Sequence, residues 1–566
     1  MYCKGNDVFY MSLEGGNVNL SDKMEFLREV SGQKKRFRLF DAKEQIKLLH
    51  RFTSVLLEGS YEDPKTAHWL LSKTWREKGY SSIVVEHIPE ATKLTSQLGP
   101  LLGFSGPGLY AKSSVIAKTR ACHEAFLSFH VMERQLRLLQ GKLLLKLFQQ
   151  VEMPLILNLA EMELVGFRFD RDKLLDIKKR LDSVQSELSE KAYSFAQYKF
   201  SLASTAAVSK LLYNDLKLGK GDGHLTKKQK PSTSKEALQE LAVETNHPLP
   251  DIILDWRKIQ SVITKVLSPL LQIESEIPRL YSVTQTYTAT GRLAMQEPNL
   301  QNMPRNFCIS FGNDDPDISI REIFTASEGC SLLSVDYCQI ELRLLAHLSR
   351  DQKLIDSINT SADVFVNIAA NIYGVPECNV DDDLRQRAKK TCYGIIYGIG
   401  ARSLSHQLRV EESIALALME DFKDKYKGVS LYLENTLKDC RKKGYVTSLM
   451  GRRRYLPYIN DPNPAIKSEA ERQAINTTIQ GSAADLLKIS MVKIREKIKE
   501  LNEENLTVNL LLHLHDELLF EVSHGHTETV AVILKETMEN VFDLKVPTPV
   551  KLHIGPSWGQ LRLYDI

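Results

Sequence analysis

At 566 residues the chain is long enough for several domains and a large buried core. Its 43% hydrophobic and 26% charged residues are ordinary for a globular protein, and a net charge of +3 excludes a globally basic nucleic-acid binder, so any such footprint must be local. Eight cysteines without a CxxC pair exclude a zinc ribbon or a disulfide scaffold and point to a reducing compartment; no apolar run could span a bilayer, the start lacks a signal pattern, and no GxxxxGK[ST] loop occurs.

Residues 1 to about 145 read as mixed α/β with modest helices. From "LLQGKLLLKLFQQVEMPLILNLAEMELVGFRFD" to "SELSEKAYSFAQ", apolar residues recur at three- and four-residue spacing, which predicts helices. Between Lys217 and Lys235, six lysines, three glycines and a proline predict an exposed, mobile loop. It is either a solvated connector or a basic tip that follows a phosphate backbone. Strand-like runs return after Tyr281. "SLLSVDY" predicts a strand with Asp336 at its end, and "QIELRLLAHL" a helix with Leu342, Leu345 and Ala346 on one side. A helical stretch then covers roughly 362 to 500. "LTVNLLLHL" and "ELLFEV" read as strands joined at His515-Asp516, a hairpin with acids at its tip.

Four stretches carry chemistry. A carboxylate at the edge of an apolar sheet is costly unless it meets a cation, and Asp336, Asp516 and Glu517 all stand there. Two such acids on adjacent strands could hold two Mg2+ ions about 3.5–4 Å apart, the geometry for in-line phosphoryl transfer. Each acid alone reads equally as a cap or turn residue. In "RQRAKKTCYGIIYG", Arg385, Lys389, Tyr393 and Tyr397 recur every four residues and share a helix face. Asp381, Asp382 and Asp383 suit the N-terminus of that helix, Gly398 and Gly400 would end it, and Gly394 would permit a close approach. Arg385 to Tyr393 spans roughly 12 Å, about the reach of a triphosphate with its sugar. The arginine fork suits the terminal phosphate, the ammonium the next one, and the rings the sugar and base. An amphipathic helix with an exposed basic stripe would read the same. In "TATGRLAMQEPNLQNMPR", Asn299, Gln301 and Asn302 crowd near Arg292, which suits a nucleic-acid backbone or minor groove, or a polar turn. In "ERQAINTTIQGSAADLLK", Arg472, Asn476 and Gln480 share a helix face, and small residues from Gly481 to Ala484 permit close packing.

As a set, "DYCQIELRLLAHLS", "RQRAKKTCYGIIYG" and "HDELLFEV" resemble motifs A, B and C of the family A DNA polymerases. "TATGRL…PNLQN", "GRRRYLP" and "INTTIQGSAAD" resemble further blocks, in the family's order, from about Glu152 onward, and the likeness is greatest to the vertebrate theta and nu branch. The resemblance implies an α+β multidomain right hand. A degenerate 3′–5′ exonuclease-like domain would cover 1–145, the thumb 146–275, the palm 276–345 and 471–566, and the fingers 346–470. It implies a template-directed DNA polymerase that uses two Mg2+ ions, primer-template DNA and a dNTP. A nuclear monomer is implied, of low fidelity, active in repair or translesion synthesis, with repair proteins or a helicase as partners. Asp336 and Asp516 resemble the metal-binding aspartates, the Tyr337 carbonyl an extra ligand, and Glu517 the accessory catalytic acid. Glu341 resembles the residue under the incoming sugar that blocks a 2′-hydroxyl. Arg385 and Lys389 resemble the triphosphate grips, Tyr393 the residue beside sugar and base, and Tyr397 the residue stacked at the template position. Gln339 and His515 fall at the nucleotide, and Arg292, Asn299, Gln301, Asn302, Arg472, Asn476, Gln480 and again His515 resemble primer-template contacts.

The chain also departs from the family. "DPKTAHWLL" is only faintly like the exonuclease domain, and the DxE, NxxxD and YxxxD patterns of that nuclease do not occur in residues 1–150, so proofreading is not expected. Lys390 stands where relatives usually carry a smaller, uncharged residue. It lies about 100° around the helix from Lys389, so it is expected to face the template or nascent pair and lower fidelity. Glu341 argues against a single-subunit RNA polymerase. Both aspartates and the Arg385–Lys389–Tyr393 face argue against an inactive DNA-binding scaffold.

Overall fold

The computed structural model describes residues 18–32, 35–97, 117–218, 232–273, 279–296, 299–303, 319–360, 363–501 and 506–566, with short pieces before residue 12 and residue 503. Most of the lysine-rich tract between Lys217 and Lys235 lies outside the described residues. Near the N-terminus, β1 (Lys35–Arg38) and β2 (Gly59–Glu62) pair in parallel, and α1 (Pro64–Leu71) follows at once. Pro64 presets the first turn of α1, and the Asp63 carboxylate caps it by accepting the Lys65 amide at 2.8 Å. A continuous helical run over 145–165 ends in α2 (Met153–Val165). Phe148, Val151 and Met153 of that run join the N-terminal core, whereas Leu155, Leu159 and Met162 join the core of the C-terminal half. The boundary expected at 145/146 therefore meets no gap, because one helical run serves both units. Next, α3 (Arg171–Ala196) is capped by Asp170 and packs against α4 (Leu249–Val262) through Leu174, Leu181, Ile252 and Ile253.

The sheet and its flanking helices follow. They are β3 (Cys330–Tyr337), α5 (Ile340–Ser349), α6 (Val364–Tyr373), α7 (Asp382–Ile396) and α8 (Ala401–Leu408). The helical stretch expected over 362–500 is interrupted by a hairpin of β4 (Tyr445–Thr447) and β5 (Arg453–Tyr455). Gly444 and Gly451, both with positive φ, bracket the hairpin's turns, and Tyr445 meets Tyr455 at 5.4 Å between ring centroids. Then come the 38-residue α9 (Pro464–Leu501), β6 (Val508–Leu514), β7 (Glu517–Ser523), α10 (Thr527–Glu539), β8 (Val550–Gly555) and β9 (Arg562–Leu563). The strands form one antiparallel sheet in the order β6-β7-β3-β8-β9.

Alternation along β3 positions the site. Leu333, Val335 and Tyr337 enter the core shared with α5, α9 and α10, while Leu332 enters the core shared with α3 and α4. Ser334 and Asp336 continue along the Leu332 face towards the rim. Among the described residues no helix is long and apolar enough to cross a membrane. Buried charges tie the N-terminal unit to α9. Arg452 bonds Glu152 and, at 2.9 Å, Asp485, and Lys488 donates to Glu152 at 3.0 and 3.1 Å. Trp69 of α1 lies beside both cations, 5.1 Å from the Arg452 guanidinium and 5.5 Å from the Lys488 ammonium.

Candidate active site

The acids meet at one rim of the sheet. Asp336 and Glu517 are direct cross-strand partners, and the Tyr337 N–H donates to the Asp516 carbonyl at 3.3 Å. His515, in the left-handed region at φ 49°, turns the hairpin and brings Asp516 beside them. Glu517 accepts the Ser334 hydroxyl. Burial lifts the Asp516 carboxyl to about 6, with Arg292 pulling it down and the Glu341 charge pushing it up. The Tyr337 phenol is engaged in the core, with the Ser490 hydroxyl at 2.9 Å and the Met538 carbonyl at 2.8 Å. Oxygen donors on adjacent strands, one of them costly in its charged form, fit a hard divalent cation. Among the described residues no three His, Cys, Asp or Glu side chains gather as a ready-made metal cage.

A second layer faces this rim. Glu341, 4% exposed at the start of α5, accepts Arg292 Nη2 at 2.6 Å on one oxygen and the Tyr397 hydroxyl at 2.7 Å on the other. Tyr397 caps the C-terminus of α7 and stacks on Tyr393 with centroids 5.9 Å apart. Burial first, then the charges of Glu341, Asp516 and Asp336, push the Tyr393 hydroxyl up to about 12. The Tyr397 end of the α7 face thus reaches Glu341 at the start of α5. The helix starts as its aspartates suggest, with Asp381 accepting the Leu384 amide at 2.8 Å, and Gly398 at φ 64° ends it. Gly394 is closely approached by Leu404 of α8. Further along the face, Lys389 Nζ lies 5.7 Å from the centroid of Phe365, and Arg385 Nε donates to Asp363 at 2.8 Å. Gln339, half-buried and at φ 47°, turns β3 into α5. His515 is exposed at its outer edge, while partial shielding of its ring from water, then the Arg292 charge, lowers its imidazole below the usual range.

The residues expected at DNA divide into three groups. Arg472 is exposed, its stem against Gly398, while Asn476 and Gln480 are half-buried further along α9. The Asn476 Oδ1 atom is buried without a partner among the described residues. Lys390 is exposed, but its ammonium donates to the Gln407 carbonyl at 3.1 Å and so ties α7 to the end of α8. Arg292 and Gln301 serve the protein itself. Arg292 holds Glu341, while Gln301 accepts the Met295 amide at 3.2 Å, donates to the Leu293 carbonyl at 3.1 Å and meets His513 Nδ1 at 3.1 Å. Asn299 caps the short turn that holds Gln301, and the Asn302 side chain lies outside what is described. Sequence reasoning missed Asp363. Its only signal was an aspartate directly before the apolar run "VFVNIAANIY", a capping pattern.

An antiparallel sheet with two aspartates at one rim, faced by a helix presenting arginine, lysine and tyrosine in that order, defines a right-hand polymerase scaffold. The chain belongs to the family A DNA polymerases: residues 171–560 match "DNA polymerase family A". It is 37% identical over 535 residues to DNA polymerase theta of Drosophila melanogaster, covering 93% of this chain and 25% of that protein. It is 35% identical to DNA polymerase theta of Mus musculus, covering 97% and 26%. DNA polymerase I of Bacillus subtilis is 32% identical, with 94% and 59% covered. Among solved structures, the POL domain of Pol1 from M. smegmatis, in complex with DNA primer-template and dNTP, matches with a TM-score of 0.83 at 29% identity, over 96% of this chain and 90% of that one. The chain spans about a quarter of the length of the two theta polymerases. The expected family, the theta-like likeness and the α+β fold are borne out.

Proposed function

We propose that this chain adds dNTPs to a primer 3′ end on a DNA template, with two Mg2+ ions held at Asp336 and Asp516 and the Tyr337 carbonyl as a further ligand. The observation that supports the reading is the meeting of the Asp336 and Asp516 strand ends at one rim, with Glu341 at the start of α5 bonded to Tyr397 of the Tyr393–Tyr397 stack on α7. Bound Mg2+ supplies charge stabilisation to the transferring phosphoryl group and activates the primer hydroxyl. Arg385 and Lys389 bind the triphosphate, Tyr393 lies beside sugar and base, and Tyr397 fills the template position. Glu341 lies under the sugar, fixed by Arg292 and Tyr397, where a 2′-hydroxyl would clash. Glu517 steadies the rim through Ser334, and Gln339 and His515 border the nucleotide. Lys390, Asn299, Asn302, Arg472, Asn476 and Gln480 contact primer-template DNA, and Arg292 and Gln301 shape its seat from behind. The chain lacks proofreading, because the acid patterns of the exonuclease are missing from residues 1–150. The likeness to the theta polymerases supports a nuclear, low-fidelity role in repair or lesion bypass, as a monomer that meets repair proteins or a helicase.

Primer extension tests the reading. Asp336→Ala is expected to abolish extension while equilibrium binding of primer-template stays near wild type, because the substitution removes transition-state stabilisation rather than DNA affinity. Near-normal extension by that variant would refute the assignment.

A further inference from the structure

The first turn of α6 grips the nucleotide-facing side of α7. Asp363 divides its carboxylate between two tasks. Oδ1 caps α6 by accepting the amides of Phe365 at 2.9 Å and Val366 at 3.3 Å, and Oδ2 accepts Arg385 Nε at 2.8 Å. Two residues on, Phe365 is buried, packs against Tyr393 with centroids 6.0 Å apart and lies under the Lys389 ammonium. The guanidinium is held by its side nitrogen, and among the described residues the structure gives Nη1 and Nη2 no protein partner. Those two nitrogens form the end of the fork that pairs with a phosphate through parallel hydrogen bonds.

We infer that Asp363 is a positioning residue that presents the Nη1–Nη2 edge of Arg385 to the terminal phosphate of the incoming nucleotide. The inference rests on the reading of Arg385 as a triphosphate grip. Two effects oppose each other. The carboxylate attenuates the arginine charge seen by a phosphate, and it removes the freedom of a long side chain before the phosphate arrives. Arg385 and Asp363 are 29% and 38% exposed, so solvent screens the attenuation. The ordering is not screened, because the amide cap fixes the carboxylate and the carboxylate fixes Nε. Burial alone would raise the Asp363 carboxyl, yet the Arg385 contact and the two amides hold it below its usual range, so the anchor is charged at every working pH.

Asp363→Asn is the discriminating change, because asparagine caps a helix as well as aspartate but offers Nε no anionic partner. The expected result is a rise in the dNTP KM of roughly three- to tenfold, the effect of loosening one ordered charged side chain, with kcat within about twofold and the melting temperature unchanged. Asp363→Ser, a second competent cap, should behave likewise. Arg385→Ala should raise the KM further, and adding Asp363→Asn to it should change nothing more, since the anchored group is gone. A KM that stays the same or falls in Asp363→Asn, or a full additional loss in the double variant, would overturn the inference. Should Arg385→Ala leave the KM untouched, the grip assigned to Arg385 fails and the inference fails with it, whereas the polymerase reading stands or falls separately on Asp336→Ala.

Discussion

Asp516, the residue proposed above as a metal ligand, is costly to the fold in its charged form. Its carboxyl, lifted by burial from 3.8 to about 6, favours the protonated form in the metal-free protein. The cost of ionising it is therefore absent below the unfolded value and grows as pH rises through about 6. Asp516→Asn should stabilise the metal-free protein by about 1–2 kcal/mol at neutral pH and by nothing near pH ~4, which thermal melting at the two pH values will read. A difference independent of pH would show that the change acts by some other route. Binding a cation needs the charged form, so the Mg2+ concentration for half-maximal extension should climb as pH falls through about 6. Glu341 is the complementary case, a buried charge already satisfied by Arg292 and Tyr397. Glu341→Ala should narrow the dNTP/rNTP preference by on the order of 10²-fold. Tyr397→Phe removes one of the two groups that hold Glu341 and should narrow the preference less. Single-nucleotide insertion with matched dNTP and rNTP gives the order directly, and an unchanged ratio in Glu341→Ala would remove it from this role.

Between elements, the turn in "TATGRL" is a tight joint. Gly291 has φ 82°, and a Cβ there would stand 2.4 Å from Arg452 Nε. Gly291→Ala thus combines backbone strain with displacement of a buried cation, a cost of about 2–3 kcal/mol. It should also weaken primer-template binding, since Arg292 is the next residue and holds Glu341. Gly394→Ala is the control. Its Cβ would lie 3.4 Å from Leu404, an ordinary contact, and melting should change by less than about 1 kcal/mol. Equal losses in the two variants would mean that the Gly291 geometry is not special. The same elements show what a sequence discloses. The strand with Asp336 and the hairpin with Asp516 were legible as short apolar runs ending on acids, and the face of α7 because its residues recur every four along the chain. The β4–β5 hairpin was not, because its three-residue strands are too short to show a period and two of the three residues of β5 are arginines. Partnerships across long separations leave no local trace either. Gln301 finds His513 at 212 positions away, and Glu341 finds Arg292 and Tyr397 at 49 and 56, so the amide and the guanidinium read as DNA contacts also carry bonds within the protein that no spacing announces.

At the scale of the whole molecule, the N-terminal unit and the C-terminal half share both a helical run and a set of buried charges. Arg452 sits where they meet. It pairs with Glu152 from the 145–165 run and Asp485 from α9, and it backs the Gly291 turn, while Trp69 of α1 covers it. Replacing such a cation by an apolar residue leaves buried carboxylates short of a partner, which costs about 3–5 kcal/mol. After Arg452→Met, Asp485 would keep the Ser448 hydroxyl and the Met450 amide, and Glu152 would keep Lys488. The loss should therefore fall towards the lower end, about 3 kcal/mol. Because Phe148 and Leu155 of one helical run belong to the two different cores, the halves should lose structure together. Calorimetry of Arg452→Met is expected to show one transition at lower temperature, with extension activity and N-terminal protease resistance disappearing over the same range. An N-terminal unit that melts or is digested first, while extension persists, would show that the buried charges do not couple the halves and that the N-terminal unit is a separable attachment.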